Sequence, residues 1–512
     1  MILLRNGTVI DGSGQASQRT SILIDGERIE SIGTIDATAD LEIVDCSALV
    51  IAPGFIDVHS HADLEVMEHR PEKVMQGVTT EVVGNCGFSL FPRIPPKDLV
   101  PTFEIFSRRG ERVWADASAY FDDVEAAQSY TNVAALTGHS TLRAGVNGIK
   151  AGRMDMAEQR EAEKRLAACL EQGSIGLSTG LNEVPSSYGD FDELIGLCQV
   201  VKQYGAFYTS HLRDYKFHIL EAVEEALELG RRTRVPVQIS HLQAAGYKNW
   251  AKVDAVLELI DRAHADGVDV GIDAYPYLAG SANMTQLLPI WALEGGTQPL
   301  LQRLADGESR KEIASQTEDD LANRWEDIVL ASMHNPDQLD MNGMTLQQVA
   351  DERGCTGVEA ALELLLENEG KIMVVSFNQS EEGLRKVLSH PLTSIITDGL
   401  MTEGIPHPRT FGTYPTFLGE YVREKGWMSL EAAIHKSTGQ PAARFQLQNQ
   451  GLLRPGFMAN IVCFSAAGIG TKSNYVDPDT APDGIAHVLV NGAWAVRHGQ
   501  LQQQFPGRSM RV

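Results

Sequence analysis

A set of histidines, with one cysteine and one aspartate, follows apolar runs along this chain, and these side chains could bind a metal ion. His59 and His61 stand two residues apart, directly after the apolar run at 56–58. Side chains at positions i and i+2 of a strand share a face, so both imidazoles can enter one site. The other members of the set each follow a further apolar run: Cys86, His211, His241 and Asp398. Thiolate, imidazole and carboxylate ligands together favour Zn²⁺.

Each of these residues, taken singly, has a simpler interpretation. A His-x-His pair arises by chance, a buried cysteine such as Cys86 is usually a small apolar residue, and Asp398 before a glycine resembles a turn. His139 also follows an apolar run, and it fits a hydrogen-bond donor beside the site as well as a structural residue. Independent accidents should not all fall at the same end of successive strands, so the joint pattern favours a site.

The segments that would position these residues alternate between apolar runs and amphipathic stretches, which is typical of a parallel sheet with crossover helices. Residues 217–232 predict one such helix, because Leu220, Val223 and Leu227 recur at helical spacing. This pattern predicts an α/β fold, a (β/α)₈ TIM-like barrel. Nine apolar runs are candidates for its eight strands, and either the Ile272 run or the Val374 run is the seventh strand. The carboxyl ends of all barrel strands meet at one mouth, where the metal-binding set would converge.

Both ends of the chain are rich in short predicted strands. The dipeptides at 25–26 and 491–492, Asp-Gly and Asn-Gly, each separate two apolar runs and predict hairpins. We expect residues 1–54 and 447–512 to form one small β-sandwich domain built from both termini, with two separate appendages as the alternative. Residues 55–446 would form the barrel, and the helix-rich stretch at about 278–330 would be an insertion or lid.

The composition limits the classes of partner. The chain has 512 residues, with 43 Lys and Arg against 68 Asp and Glu, so its net charge is −25. An apolar fraction of 43% excludes a disordered chain, and the negative charge disfavours nucleic acid and anionic membranes. No apolar run is long enough to predict a membrane span, and six scattered cysteines without a CxxC pair favour a cytoplasmic location. An anionic small-molecule substrate would need local cations.

A family resemblance appears in the segments around these residues. The segment at 54–63, Gly-Phe-Ile-Asp-Val-His-Ser-His-Ala-Asp, resembles the first-strand motif of the amidohydrolase superfamily. Further motifs resemble those of the N-acyl-D-amino-acid deacylases, or D-aminoacylases, and they lie at 84–87, 137–143, 177–181, 211–214, 240–241, 273–277, 397–399 and 407–415. The resemblance covers nearly the whole chain.

The resemblance implies a metal centre and a reaction. The implied ligands of one tightly bound zinc are Cys86, His211 and His241. His59 and His61 would hold a second, weaker metal position, and Asp398 would be the general base. Zinc lowers the pKa of bound water to about 7, and the base would pass a proton from water to the leaving amine. We therefore expect hydrolysis of N-acyl-D-amino acids, or similar N-acyl compounds, to a carboxylate and a free D-amino acid.

Substrate recognition is predicted from the same motifs. The substrate carboxylate needs a fixed cation, for which we predict Arg409, because its planar fork suits a carboxylate. The candidate hydroxyl donors are Tyr275, Tyr277 and Ser281. Many family members carry a lysine where this chain has Gln243, and Lys248 or Arg213 is the candidate replacement. The pair at 182–183 also departs from the commonest family pattern, so the preferred side chain and acyl group stay open.

Two other functions compete with this one. Cyclic-amide hydrolases of the hydantoinase or dihydroorotase kind usually bridge two metals with a carboxylated lysine on the fourth strand, and residues 177–180 contain none. A non-catalytic barrel scaffold would have lost metal ligands or the base, and all of them are present in this sequence. The sequence leaves the oligomeric state open.

Overall fold

The computed structural model describes residues 1–36, 41–93, 100–107 and 112–511. Its strands, in chain order, are β1 (Ile2–Val9), β2 (Gln18–Asp25), β3 (Arg28–Gly33), β4 (Glu42–Asp45), β5 (Val50–Pro53), β6 (Phe55–Asp57), β7 (Val78–Val83), β8 (Asn132–Ala135), β9 (Thr137–Gly138), β10 (Gly176–Gly180), β11 (Phe207–His211), β12 (Val237–Ile239), β13 (Val270–Ala274), β14 (Ala279–Asn283), β15 (Ile328–Ser332), β16 (Met373–Phe377), β17 (Thr393–Ile395), β18 (Ile461–Phe464), β19 (Ile485–Val490), β20 (Ala493–Arg497) and β21 (Gln500–Leu501).

The α-helices lie mainly between the strands of the middle region. In chain order they are α1 (Glu72–Met75), α2 (Pro101–Phe106), α3 (Ala117–Ala127), α4 (His139–Asn147), α5 (Met156–Glu171), α6 (Phe191–Gln203), α7 (Ile219–Thr233), α8 (Val253–Ala265), α9 (Thr297–Ala305), α10 (Gly307–Asp319), α11 (Leu346–Arg353), α12 (Gly357–Glu367), α13 (Glu381–Ser389), α14 (Arg409–Thr416), α15 (Leu430–Ser437) and α16 (Gly439–Arg444). No helix among these described residues is long and apolar enough to cross a membrane.

Eight parallel strands form the barrel. Six of them pair in the order β17-β13-β12-β11-β10-β9, and three pair in the order β6-β7-β8. Leu136 alone separates β8 from β9, so these two segments are one strand that pairs on both sides. A parallel bridge between Ser60 and Gly399 joins the first strand to the eighth and closes the ring. This arrangement agrees with the predicted TIM-like barrel.

The Ile272 run, and not the Val374 run, is the seventh barrel strand. The strand β13 contains Ile272 and pairs in parallel with β12 and β17. Val374 belongs to β16, the central strand of an antiparallel sheet with β14 and β15. The segment between β13 and β17 contains this sheet and helices α9 to α13. The insertion or lid at about 278–330 stays a prediction.

Both ends of the chain contribute to one nine-stranded sheet. Its strand order is β21-β20-β19-β18-β5-β1-β2-β3, with β4 also paired to β1. The antiparallel pair of β18 with β5 joins the two ends, and the predicted hairpins form as β2–β3 and β19–β20. The strands expected in a sandwich are hydrogen-bonded here as one continuous sheet. The division into domains at residues 54 and 447 stays a prediction.

The helices of the barrel bury the faces that the sequence pattern indicates. In α7, Val223 and Leu227 are fully buried and Leu220 is packed against the same core. Helix α5, earlier in the chain, carries a clear start signal. Asp155 accepts from the backbone nitrogen of Glu158, and the Glu158 side chain accepts from Asp155 N. The buried apolar face and the N-terminal cap thus stabilise helices that pack around the barrel strands, and the ends of those strands carry the site residues.

Candidate metal centre and active site

Six predicted residues converge at the carboxyl ends of the barrel strands. The structure brings together two overlapping groups of side chains, in each of which the potential ligand atoms lie within 4.8 Å of one another. The first group is His59, His61, Cys86 and Asp398, and the second is Cys86, His211 and His241. Cys86 therefore lies at the point shared by the two groups, where a thiolate could bridge two neighbouring metal positions.

The distances in the cluster are short for side chains of different strands. The Sγ atom of Cys86 lies 3.2 Å from His59 Nε2 and 3.5 Å from His241 Nε2. The Oδ1 atom of Asp398 lies 3.4 Å from His59 Nε2 and 3.1 Å from His61 Nε2. Both the thiol and the carboxylate thus face the same space between the imidazoles.

The ligand set fits a metal ion on two observations. His211 is largely buried, yet neither of its ring nitrogens has a hydrogen-bond partner among the described residues. Buried polar atoms without a partner are uncommon in native proteins, and a metal ion satisfies such nitrogens. Burial by itself would raise the pKa of the Cys86 thiol, but the charges of His59 and His211 outweigh it and hold that pKa well below its usual range. The thiolate is the form of cysteine that binds metal.

Asp398 is paired with an arginine. Its Oδ2 atom lies 2.9 Å from Arg409 Nη1. Burial opposes ionisation, but Arg409, His241 and His59 together hold the pKa of Asp398 well below its ordinary value. Burial likewise lowers the pKa of His61, but the hydrogen bond and charge of Asp398, with those of Cys86, raise it to about 9. The carboxylate and thiolate make this end of the barrel attractive to cations.

The guanidinium of Arg409 has one donor without a partner. Its Nη2 atom contacts the carbonyl oxygen of Ser281 at 3.4 Å, and its ring partner is Tyr275, whose centroid lies 4.6 Å from Cζ. The Nε atom is buried and has no partner among the described residues. Arginine N–H groups form charge-assisted hydrogen bonds to carboxylates, so a carboxylate ligand would satisfy this donor.

Three residues of the centre have a left-handed backbone. The φ angles of Cys86, His241 and Asp398 are 52°, 33° and 49°. Non-glycine residues rarely adopt positive φ, and such strain is concentrated at functional sites. The neighbouring Gly180 permits one of these turns, because a Cβ atom there would lie 2.2 Å from the Cys86 carbonyl oxygen.

Asp273 supports two of the histidines and was not among the predicted site residues. Its Oδ1 atom accepts from His241 N at 2.6 Å and lies 3.5 Å from His59 Nδ1. Gln238 Nε2 donates to the other carboxylate oxygen at 2.9 Å. A carboxylate against the second ring nitrogen orients a metal-ligating histidine. The signal for Asp273 is its place at the end of a barrel strand, the same signal that identified the ligands.

Two cavities meet at the centre. The larger, of about 610 Å³, and the smaller, of about 90 Å³, share His211, His241, Ser281, Asp398 and Arg409 among their lining residues. Of the remaining predicted substrate contacts, two line the larger cavity alone: Tyr275 and Gln243. The Tyr275 hydroxyl donates to Gln243 Oε1 at 3.5 Å.

Two predicted contacts lie outside these cavities. His139 is fully buried at the start of α4, where Ser186 Oγ lies 2.6 Å from its Nδ1 and Glu193 Oε1 lies 2.8 Å from its Nε2. Tyr277 points to Thr416 instead, with its hydroxyl 3.1 Å from that side chain. His139 follows a strand end, as the ligands do, but its ring nitrogens are committed to a structural network. Tyr277 holds the helix that begins with Arg409.

The two cations considered as replacements at position 243 are committed elsewhere. Lys248 Nζ donates to the carbonyl oxygen of Leu321 at 2.8 Å. Arg213 lines the larger cavity but donates to Glu225 and to two backbone carbonyl groups. Arg409 is thus the cation that the described residues place between the centre and the larger cavity.

Comparisons with known proteins agree with this centre. The model of the amidohydrolase family matches residues 42–496. An N-acyl-D-glutamate deacylase and a D-aminoacylase of Alcaligenes xylosoxydans xylosoxydans are each 36% identical to the chain, over 100% and 99% of it and 96% of each relative. The crystal structure of an N-acyl-D-glutamate deacylase from Bordetella bronchiseptica, complexed with zinc and a phosphonate inhibitor, has a TM-score of 0.87 at 32% identity, covering 100% of this chain and 99% of that one.

These matches span the barrel and the terminal sheet together, and they define the class of protein to which the chain belongs. That class is the amidohydrolases. The chain belongs to the amidohydrolase family and, within it, to the D-aminoacylases.

Proposed function

We propose that the chain hydrolyses the amide bond of N-acyl-D-amino acids with the help of zinc. The observation that carries this proposal is the position of Asp398. Its Oδ1 atom faces the cluster of histidines and Cys86, and its Oδ2 atom faces Arg409. A base between a metal centre and a carboxylate-binding arginine is what cleavage of an N-acyl amino acid requires.

The side chains divide into two metal positions. Cys86, His211 and His241 would hold the tightly bound zinc, and His59 and His61 would hold a second, weaker one. A zinc ion supplies Lewis-acid chemistry in such a site, since it polarises a carbonyl group and acidifies water. A binuclear centre is named for a D-aminoacylase structure that is 31% identical to this chain, with a TM-score of 0.86.

Asp398 would move the proton that the reaction needs. It takes a proton from the attacking water, whose oxygen forms a bond to the acyl carbon. The carbon–nitrogen bond then breaks, and the same proton passes to the nitrogen, which leaves as the free amine. The low pKa of Asp398 keeps it in the proton-accepting form before reaction.

Arg409 would bind the substrate carboxylate through its unpartnered Nε–H group, with Tyr275 and Ser281 beside it. Gln243 would supply an amide where many relatives supply a charge.

The cyclic-amide alternative gains no support from the fourth barrel strand, because β10 contains no lysine. A cytoplasmic location and the absence of a nucleic-acid partner belong to the same proposal. Six unpaired cysteines and the net charge of −25 support them.

The experiment is hydrolysis of paired N-acetyl-D- and N-acetyl-L-amino acids by the zinc-loaded protein. We expect cleavage of D isomers, measured as release of free amine. Preference for L isomers, or no cleavage of either series, would overturn the proposal.

A further inference from the structure

Glu183 lies beside the metal centre and has no part in the proposed reaction. It lies three residues after the end of β10, with Gly180 between it and the Cys86 turn. Its side chain is 6% exposed and lines the smaller cavity. Gln286 Nε2 donates to Oε1, and Thr102 Oγ1 donates to Oε2 at 3.4 Å. Both donors are neutral, and Glu183 forms no ion pair with any residue that the structure describes.

The smaller cavity is where the acyl group of a substrate would lie. The carboxylate end of the substrate belongs with Tyr275 and Gln243, which line the larger cavity alone. The scissile amide must lie at the centre, between the shared residues Asp398 and His241. The other half of the substrate, the acyl group, then extends into the cavity of about 90 Å³ that contains Glu183. That volume admits a short acyl chain.

A buried carboxylate at this position needs a positive charge beside it. The rest of the cavity wall is mainly apolar and includes Phe88, Ile105, Phe106, Met373 and Leu400. Burial raises the pKa of Glu183 to about 7, since the hydrogen bond from Gln286 offsets only part of it. Burying a carboxylate without a cation is costly, and a cation brought by a ligand removes that cost.

We propose that Glu183 selects substrates whose acyl group carries a protonated amine, so that the chain cleaves aminoacyl-D-amino acids, which are dipeptides with a D residue at the carboxyl end. The ammonium group pairs with the Glu183 carboxylate while Arg409 holds the carboxylate at the opposite end. The bond changes are those of the hydrolysis above: water adds across the carbon–nitrogen bond, and the products are an amino acid and a D-amino acid. This inference rests on the proposed function.

The test uses a pair of acyl groups that differ only in charge. Glycyl and propionyl groups have the same number of heavy atoms, with an ammonium in one where the other has a methyl. Both are attached to the D-amino acid whose N-acetyl form the zinc-loaded protein cleaves best. We expect wild-type kcat/KM for the glycyl compound to exceed that for the propionyl compound by at least about tenfold.

A charge-removing variant assigns the preference to Glu183. Glu183→Gln should lower kcat/KM for the glycyl compound by at least about tenfold and leave the propionyl value within about threefold. The control is Glu294→Gln, an exposed carboxylate outside both cavities, which should retain the wild-type ratio.

The outcomes separate the two proposals. A wild-type preference for propionyl, or equal losses for both compounds in Glu183→Gln, overturns the role of Glu183 while leaving the deacylase activity. Failure to cleave any N-acyl-D-amino acid overturns the proposed function, and this inference with it. The wild-type ratio decides the question even if the variant does not fold.

Discussion

The ammonium group of Lys73 lies 2.5 Å from the Oδ2 atom of Asp57, and both side chains are buried. Asp57 also accepts from the backbone nitrogen of Thr397 at 3.0 Å and from its hydroxyl at 2.6 Å. This contact ties the end of the first barrel strand to the end of the eighth, directly before Asp398. The pair thus holds Asp398, the proposed base, against the two histidines that follow Asp57.

Lys73→Met should therefore destabilise the protein strongly. It leaves the buried carboxylates of Asp57 and Glu81 without their cation, since Lys73 Nζ lies 3.5 Å from Glu81 Oε2 as well. Loss of one partner of a buried ion pair costs about 3–5 kcal/mol. Urea unfolding measures the loss, with Lys386→Met as the control, because Lys386 pairs with exposed carboxylates and should contribute at most about 1 kcal/mol. Equal losses in the two variants would contradict the role of Lys73.

Cys86→Ala should remove the tightly bound zinc. The thiolate is shared by both groups of ligands, and alanine has no donor atom. The measurement is the zinc content after dialysis, expected to be about one ion per chain in the wild type and far below one in the variant. Cys355→Ala, at a partly exposed cysteine remote from the ligand groups, is the control and should keep the metal. Normal zinc in Cys86→Ala would refute the ligand assignment.

Asp398→Asn should keep the zinc and lose turnover. The amide occupies the same volume but cannot accept the proton, so kcat should fall by roughly 10²–10⁴. Steady-state kinetics and zinc analysis on the same preparation measure the two effects separately. Asp337→Asn, at an exposed aspartate, should match the wild type. A near-wild-type kcat for Asp398→Asn would exclude it as the base.

Gln243→Lys should tighten substrate binding. The side chain lines the larger cavity beside Tyr275, so a lysine there adds a second cation near the bound carboxylate. We expect KM to fall by roughly fivefold at low ionic strength and the gain to shrink as salt is added. Gln302→Lys adds the same charge at an exposed position and should leave KM unchanged. The assignment of this cavity to the carboxylate fails if both variants behave alike.

Glu193→Gln should change how stability depends on pH. Burial opposes its ionisation, but the hydrogen bond and charge of His139, with those of Arg143, lower the pKa of Glu193 to about 2 from 4.5. A carboxylate with a lowered pKa stabilises the folded state above its unfolded pKa, and this contribution is lost as pH falls toward 2. The variant should lose less stability than the wild type between pH 5 and pH 3, measured by urea unfolding. Glu312→Gln, at an exposed site, should show the wild-type slope.

The convergence of the proposed ligands could be predicted because strand ends are visible in the sequence. His59 and His61 follow strand periodicity, and Cys86, His211 and His241 each end an apolar run. Once parallel strands close into a ring, their carboxyl ends must converge. The identity of the seventh strand could not be predicted, because a buried barrel strand and the central strand β16 of an antiparallel sheet have the same apolar pattern.

The supporting residues were harder to predict for a different reason. Lys73 lies on a short helix, where a lysine normally faces solvent, and its partner Thr397 is 324 residues away in the chain. His139 has the same local context as the proposed ligands, but its ring is held away from the site by Ser186 and by Glu193, which lies on a helix 54 residues later. The direction in which each of these side chains points depends on tertiary contacts that no local sequence pattern encodes.

The bridge between Ser60 and Gly399 has a consequence for the synthesis of the protein. Asp398 on one side of that bridge faces His59 and His61 on the other, so the base reaches the histidines only when the ring closes. More than three hundred residues must leave the ribosome between the first ligands and the base. An unfinished chain therefore carries the proposed metal ligands without the proposed base, and we expect hydrolytic activity to begin only after strand eight has docked.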